Sequence, residues 1–170
     1  MSIGTFFKCR VIRLHPMVII GSIIGALFFF FQKSPCFPNM DNISVGTVLI
    51  IMLYGCTLLP LPLKWDIRGW TEMHPLNGPA WSLYYEYIGN ILYALFVRKF
   101  NKVALSILVF LAACATLHLC LTAPNGDIVG GWALNWEQQY VGFVRLLYPF
   151  FAGLLLSRLG WLIRVKKRAF

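Results

Sequence analysis

Residues 14–32 read LHPMVIIGSIIGALFFFFQ and carry no formal charge. At 1.5 Å rise per residue, a helix through this run comes close to the roughly 30 Å hydrocarbon layer of a bilayer. It is the first expected membrane span. Lys8, Arg10 and Arg13 stand in front of it. They would also suit the n-region of a signal peptide, but the run is long and no A-x-A cleavage pattern follows in QKSPCFPNM.

Working outward, four more apolar segments follow near 43–63, 79–97, 103–121 and 141–163. The expected fold is therefore all-α: a polytopic transmembrane bundle of about five hydrophobic helices occupying 1–170. The second segment closes on LLPLPL, which frays or bends a helix as it leaves the membrane, so a re-entrant path is open to it as well as a crossing one. The polar stretch KWDIRGWTEMHPLNGP that follows reads as an interfacial loop. Asn77 or Gly78 is expected to cap the third helix with Pro79 in its first turn, and Arg98 and Lys99 stop it.

The composition agrees: 59% of residues are hydrophobic and only 12% charged, more apolar surface than a small soluble core can hide. The net charge of +9 does not point to nucleic acid, because the bases sit at the ends of apolar runs and form no stripe with interleaved aromatics. Membrane lipid is the expected partner. Counting bases favours Lys33, Arg98 to Lys102 and Arg164 to Arg168 on the cytoplasmic side. An odd number of crossings cannot also put Lys8, Arg10 and Arg13 there. Either these early bases have a functional task, or one apolar run does not cross. The cysteines, Cys9, Cys36, Cys56, Cys114 and Cys120, form no C-x-x-C pair. They read as small buried hydrophobes rather than a disulfide framework, and no metal site is expected. Gly21 and Gly25 have G-x-x-x-G spacing, read as close packing within one chain rather than a dimer face.

Glu86 is the most informative position, since a carboxylate inside a span costs roughly 2.5 to 3.5 kcal/mol on insertion scales unless paired or wet. Ser82 lies four residues before it and Gly89 three after, so hydroxyl, carboxylate and a gap in bulk share one face that should line a polar cavity. Arg145, set inside the fifth segment, is the candidate ion-pair partner. Arg10 and Arg13, three apart, point their guanidinium forks the same way on a continued helix, an arrangement that suits phosphate or carboxylate, although flanking charge at a lipid surface explains them as well. Trp81, Tyr84, Tyr85 and Tyr87 with Trp65 and Trp70 form an aromatic cluster at the head of the third segment, read mostly as an interfacial belt. His15, His74 and His118 are isolated, and none is assigned as a base.

Taken together, FFKCRVIRLHP, NGPAWSLYYEYIGNILY and GFVRLLYPFFAGLLLSRL resemble three successive landmarks of the acyltransferase family 3 membrane proteins, which O-acylate cell-surface sugars. Arg10, Arg13 and Pro16 correspond to the R-x-x-R element, and Trp81, Ser82, Leu83 and Glu86 to W-S-L-x-x-E. The resemblance implies an acyl-coenzyme A co-substrate (acetyl-CoA), a glycan or glycolipid hydroxyl as acceptor, no bound cofactor, and residence in a bacterial inner (plasma) membrane. It implies donor contacts at Arg10 and Arg13 and a site shaped by Glu86 and Ser82. The family's general-base histidine belongs to an earlier helix that this sequence does not contain, so the chain resembles a member truncated at both ends and is expected to be inactive alone. The oligomeric state is not implied. The rival expectation is a non-enzymatic transporter or flippase subunit whose buried Glu86 and Arg145 line a path, although no inverted repeat supports it.

Overall fold

The computed structural model of the chain describes residues 3–31, 42–123 and 126–160. Five α-helices follow in chain order: α1 Ile3–Phe31, α2 Val45–Gly55, α3 Ala80–Leu95, α4 Lys102–Thr122 and α5 Trp136–Leu159. Among the described residues the β structure is confined to an isolated bridge between Glu72 and Ala133. The protein is an all-helical bundle. α1, α4 and α5 are each long and apolar enough to cross a membrane. Only 17% of the most apolar stretch of α4, and the same share of α5, is buried within the protein, so the rest of that surface demands an apolar solvent, which is lipid.

α1 begins well before the uncharged run, so Lys8, Arg10, Arg13 and Pro16 all lie inside it. Long basic side chains can run along a helix and still reach the headgroups, so these charges extend α1 rather than end it. At about 43 Å, α1 outreaches the hydrocarbon layer.

The helices pack in the order α2, α1, α3, α5, α4. Phe6 meets Tyr93 at 5.5 Å between ring centroids, and Val18 packs with Ala80, so α1 and α3 are antiparallel. Tyr85 meets Phe143 at 5.3 Å and Gly89 faces Phe150, so α3 and α5 run parallel. α4 returns along α5, with Leu105 and Phe151 in one cluster. At this end Arg158 of α5 donates to the carbonyls of Val97 at 3.0 Å, Arg98 at 3.2 Å and Phe100, satisfying acceptors that the end of α3 leaves open.

α2 settles the ambiguity of the second segment. Ser44 caps it by accepting from the Thr47 amide at 3.1 Å, but its length is only about 16 Å, too short to cross. Past Gly55 the chain reverses at Leu58, whose φ of 61° is a left-handed value that few side chains adopt. Leu58 packs with Val18 and Ala80, whereas Leu61 and Ile67 join Phe29 and Val48, back at the level where α2 began. Asn42 and Ile43 before α2 and Lys64 to Ile67 after it line one cavity of about 550 Å³.

The two long loops at that end are tied together. The Met73 amide donates to Trp132 O at 2.7 Å and Gln139 Nε2 to Met73 Sδ at 3.4 Å, while within each loop the Leu61 amide donates to Met73 O at 2.9 Å and Gln139 Nε2 to Ala133 O at 3.0 Å. The Asp66 carboxylate accepts from the amides of Arg68, Gly69 and Thr71 at 2.9, 3.1 and 2.6 Å. Where the sequence suggested an Asn77 or Gly78 cap, the N-cap of α3 is Pro79 with no side-chain bond. The Asn77 amide group instead reaches Val18 O of α1 at 3.4 Å. Gly21 and Gly25 do pack within the chain. A methyl group at Gly25 would stand 1.6 Å from Leu76 O, and one at Gly21 would stand 2.4 Å from Asn77 Nδ2. The cysteines correct an expectation: Cys9 and Cys114 are exposed and Cys56 and Cys120 half-buried, because helices packed along one stripe turn most positions to the lipid. Cys36 lies outside the described residues.

Candidate functional site

The head of α3 presents two faces, and the aromatic cluster divides between them. Tyr84 and Tyr87 turn toward α1 and the Val18–Leu58–Ala80 cluster. Trp81 and Tyr85 turn toward α5, where Gly142 lets them in: a methyl group there would stand 2.1 Å from the Tyr85 ring. Trp65 and Trp70 stay exposed in the loop, as an interfacial belt requires.

On the α5 side lies an open groove of about 440 Å³ lined by Trp81, Ser82, Tyr85, Glu86, Gly142, Arg145 and neighbouring apolar residues of α5. It brings together three residues singled out from sequence: Ser82, Glu86 and Arg145. The arginine is held from two directions. Its guanidinium lies over the Trp81 ring, 4.6 Å from the centroid, and Nη1 donates to Gly130 O at 2.8 Å. A cation on an aromatic face with a carbonyl on its edge is fixed in orientation and keeps free donors for an anionic or carbonyl oxygen. Among the described residues the ion pair present is Arg68–Glu72 at 3.4 Å; Glu86 and Arg145 share the groove wall without that contact. The Ser82 hydroxyl donates to Pro79 O at 2.8 Å, leaving its oxygen free to accept. Gly89 is buried, and its gap is filled by Leu146 and Phe150 of α5 rather than left as groove.

Tyr85 is 2% exposed and lines the groove, with a hydroxyl that has no hydrogen-bond partner. Sequence reading placed it, with Trp81, in the belt. The signal that distinguishes them is spacing: 81, 82, 85 and 86 share one helical face, and Gly142 lies three residues before Arg145, where close approach is needed.

Arg10 and Arg13 do not line this groove. They occupy the stretch of α1 between the Phe6–Tyr93 and His15–Tyr87 contacts, further toward the carboxyl end of α3. Arg10 lies over Phe6 at 5.3 Å and Arg13 is exposed. His15 faces Tyr87 across the α1–α3 contact at 6.5 Å, and His118 is exposed on α4. His74 is 5% exposed, and burial pushes its pKa down to about 4. It borders a void of only about 10 Å³, the size of a single water.

Comparison with known proteins gives the family of the chain. The family described as an acyltransferase domain, acyltransferase family 3, matches residues 1–170. A curated protein of Rhizobium radiobacter, "Protein 2 in picA locus", is 29% identical over 96 residues, 54% of this chain and 49% of that protein. The chain thus spans about half the length of the curated relative it matches. No solved structure matches. The chain belongs to the acyltransferase family 3 domain family.

Proposed function

We propose that this member of the family works, as part of an active protein, as a membrane-embedded O-acyltransferase. It moves an acyl group, acetyl, from an acyl-coenzyme A donor to a hydroxyl of a cell-surface glycan or glycolipid, in a bacterial plasma membrane. The observation that carries the reading is the groove in which Glu86, Ser82 and the Trp81-stacked Arg145 converge. In the reaction the acceptor oxygen bonds to the thioester carbonyl carbon, negative charge gathers on the carbonyl oxygen, and the bond to sulfur breaks to release the thiol. A guanidinium fixed before the reaction is suited to that charge. Glu86 and Ser82 offer acceptor oxygens that hold and orient sugar hydroxyls. Arg10 and Arg13 supply paired forks for the phosphates of the donor. The general base that takes the proton from the hydroxyl is not among these residues.

The test uses the full-length protein in membranes with isotope-labelled acetyl-coenzyme A. Wild type should label a polysaccharide or glycolipid fraction, and Glu86→Gln and Arg13→Ala should each lower the labelling on the order of 10²-fold. Unchanged labelling in both variants would remove these residues from the site.

A further inference from the structure

The expected five crossings left a contradiction, because they put the early bases and the later basic clusters on opposite faces. The α2 reversal removes it for Lys8, Arg10, Arg13 and the Arg98 to Lys102 cluster; Lys33 and Arg164 to Arg168 lie outside the described residues. Residues on either side of α2 line the same cavity, and Phe29, Val48, Leu61 and Ile67 pack at one level, so α2 enters and leaves at one end of the bundle. α1, α4 and α5 are long and apolar enough to cross. α3 alone spans about 24 Å, but the chain leading into it already descends along α1, with Leu76 against Gly25, Asn77 against Gly21, Ala80 with Val18 and finally Tyr93 with Phe6. This segment therefore crosses too, and the crossings number four.

The described charges then sort by end. Beside the start of α1, the end of α3, the start of α4 and the end of α5 lie Lys8, Arg10, Arg13, Arg98, Lys99, Lys102 and Arg158, with no acid among the described residues there. The Phe6–Tyr93 and Arg158–Val97 contacts show that this is one end. At the opposite end lie Asp66, Glu72, Asp127 and Glu137 with Lys64 and Arg68, joined by the Met73–Trp132 hydrogen bond. Each Lys or Arg near an anionic cytoplasmic leaflet contributes about 1 kcal/mol, so an asymmetry this complete sets the orientation.

We propose that the chain crosses the membrane four times, through α1, α3, α4 and α5, with α2 re-entrant from the outer face and the basic end in the cytoplasm. The Ser82–Glu86–Arg145 groove then opens outward: Trp81 and Ser82 stand in the first turn of α3, and Arg145 is anchored to Gly130 of the outer loop. Arg10 and Arg13 belong to the cytoplasmic half. A polar hydroxyl compound outside the cell enters the groove, while an anionic cytoplasmic ligand meets the arginines. Naming these two ligands acceptor and donor rests on the acyl-transfer reading; the topology does not.

The experiment places single cysteines in the full-length protein after Cys9, Cys36, Cys56, Cys114 and Cys120 are changed to alanine. A membrane-impermeant maleimide is the probe, applied to intact cells and to inverted vesicles. Asn42→Cys, Lys64→Cys and Asp127→Cys, all at exposed positions, should label in intact cells, and Lys99→Cys in inverted vesicles alone. Labelling of Asn42→Cys and Lys64→Cys from opposite faces would show that α2 crosses and overturn the proposal. The whole pattern reversed would overturn the outward-facing groove. Absence of acetyl transfer by the wild-type full-length protein, with the labelling pattern intact, would defeat the enzymatic reading and leave the topology standing.

Discussion

Gly25 of α1 and Gly142 of α5 both exist to let a neighbour come close, yet they admit different things. Gly25 receives the carbonyl of Leu76, a piece of backbone with nowhere to retreat, and the region around it is closed, with Ser22 and His74 buried beside a void of about 10 Å³. Gly142 receives the ring of Tyr85, and next to that contact the helices part into a groove of about 440 Å³. The first contact holds the re-entrant half of the molecule to α1. The second sets the spacing of α3 and α5 beside the groove that Glu86 and Arg145 line.

If the two contacts differ in this way, Gly25→Ala should have the largest effect. The loop must move, at a cost on the order of 3 kcal/mol, seen as a lower melting temperature in detergent or loss of monodisperse protein. A variant as stable as wild type would mean that the loop is not seated on α1. Gly142→Ala should cost less stability, about 2 kcal/mol, and more function: a displaced Tyr85 reshapes the groove, and acetyl transfer by the full-length protein should fall on the order of 10²-fold. Unaltered transfer would separate the groove from the chemistry.

The closed region should also respond to acid. His74 keeps its proton off down to about pH 4, because burial penalises the charged ring, whereas an unfolded chain takes that proton up near pH 6.5. Its contribution to stability is therefore complete above about pH 6.5 and declines as pH falls toward 4. Melting temperature measured across that window should drop for wild type and flatten in His74→Gln; matching profiles would place His74 in contact with water. The smallest effect belongs to Gly153, whose added methyl meets nothing within 4 Å. Gly153→Ala should stabilise α5 by about 0.5 to 1 kcal/mol, a control in which a glycine admits no neighbour at all.

The sequence made some of this plain. Long uncharged runs located the membrane helices because lipid leaves few alternatives, and a four-residue spacing put Ser82 and Glu86 on one face of α3. Arg145 stood out as a charge inside an apolar run and does stand in the same groove. Other features depended on contacts that no local pattern encodes. LLPLPL is as apolar as a span, so only the return of Lys64 to the cavity of Asn42 shows that the chain turned back. Arg145 was matched by charge to Glu86, but a stacked ring and a loop carbonyl hold it instead. Asn77 looked like a cap because of its type, and its side chain serves to join the loop to α1.

Arg158 riveting the basic ends of α3, α4 and α5 through three carbonyls gives the bundle a fixed pivot. At the far end α3 rests on α5 through Tyr85 against Gly142 and Phe143, and the loops beyond are joined by the Met73–Trp132 hydrogen bond and by Gln139 Nε2 donating to Met73 Sδ. The assembly is built like a pair of tongs with a clasp across its tips. Opening at the clasp would widen the groove beside it and leave the hinge untouched.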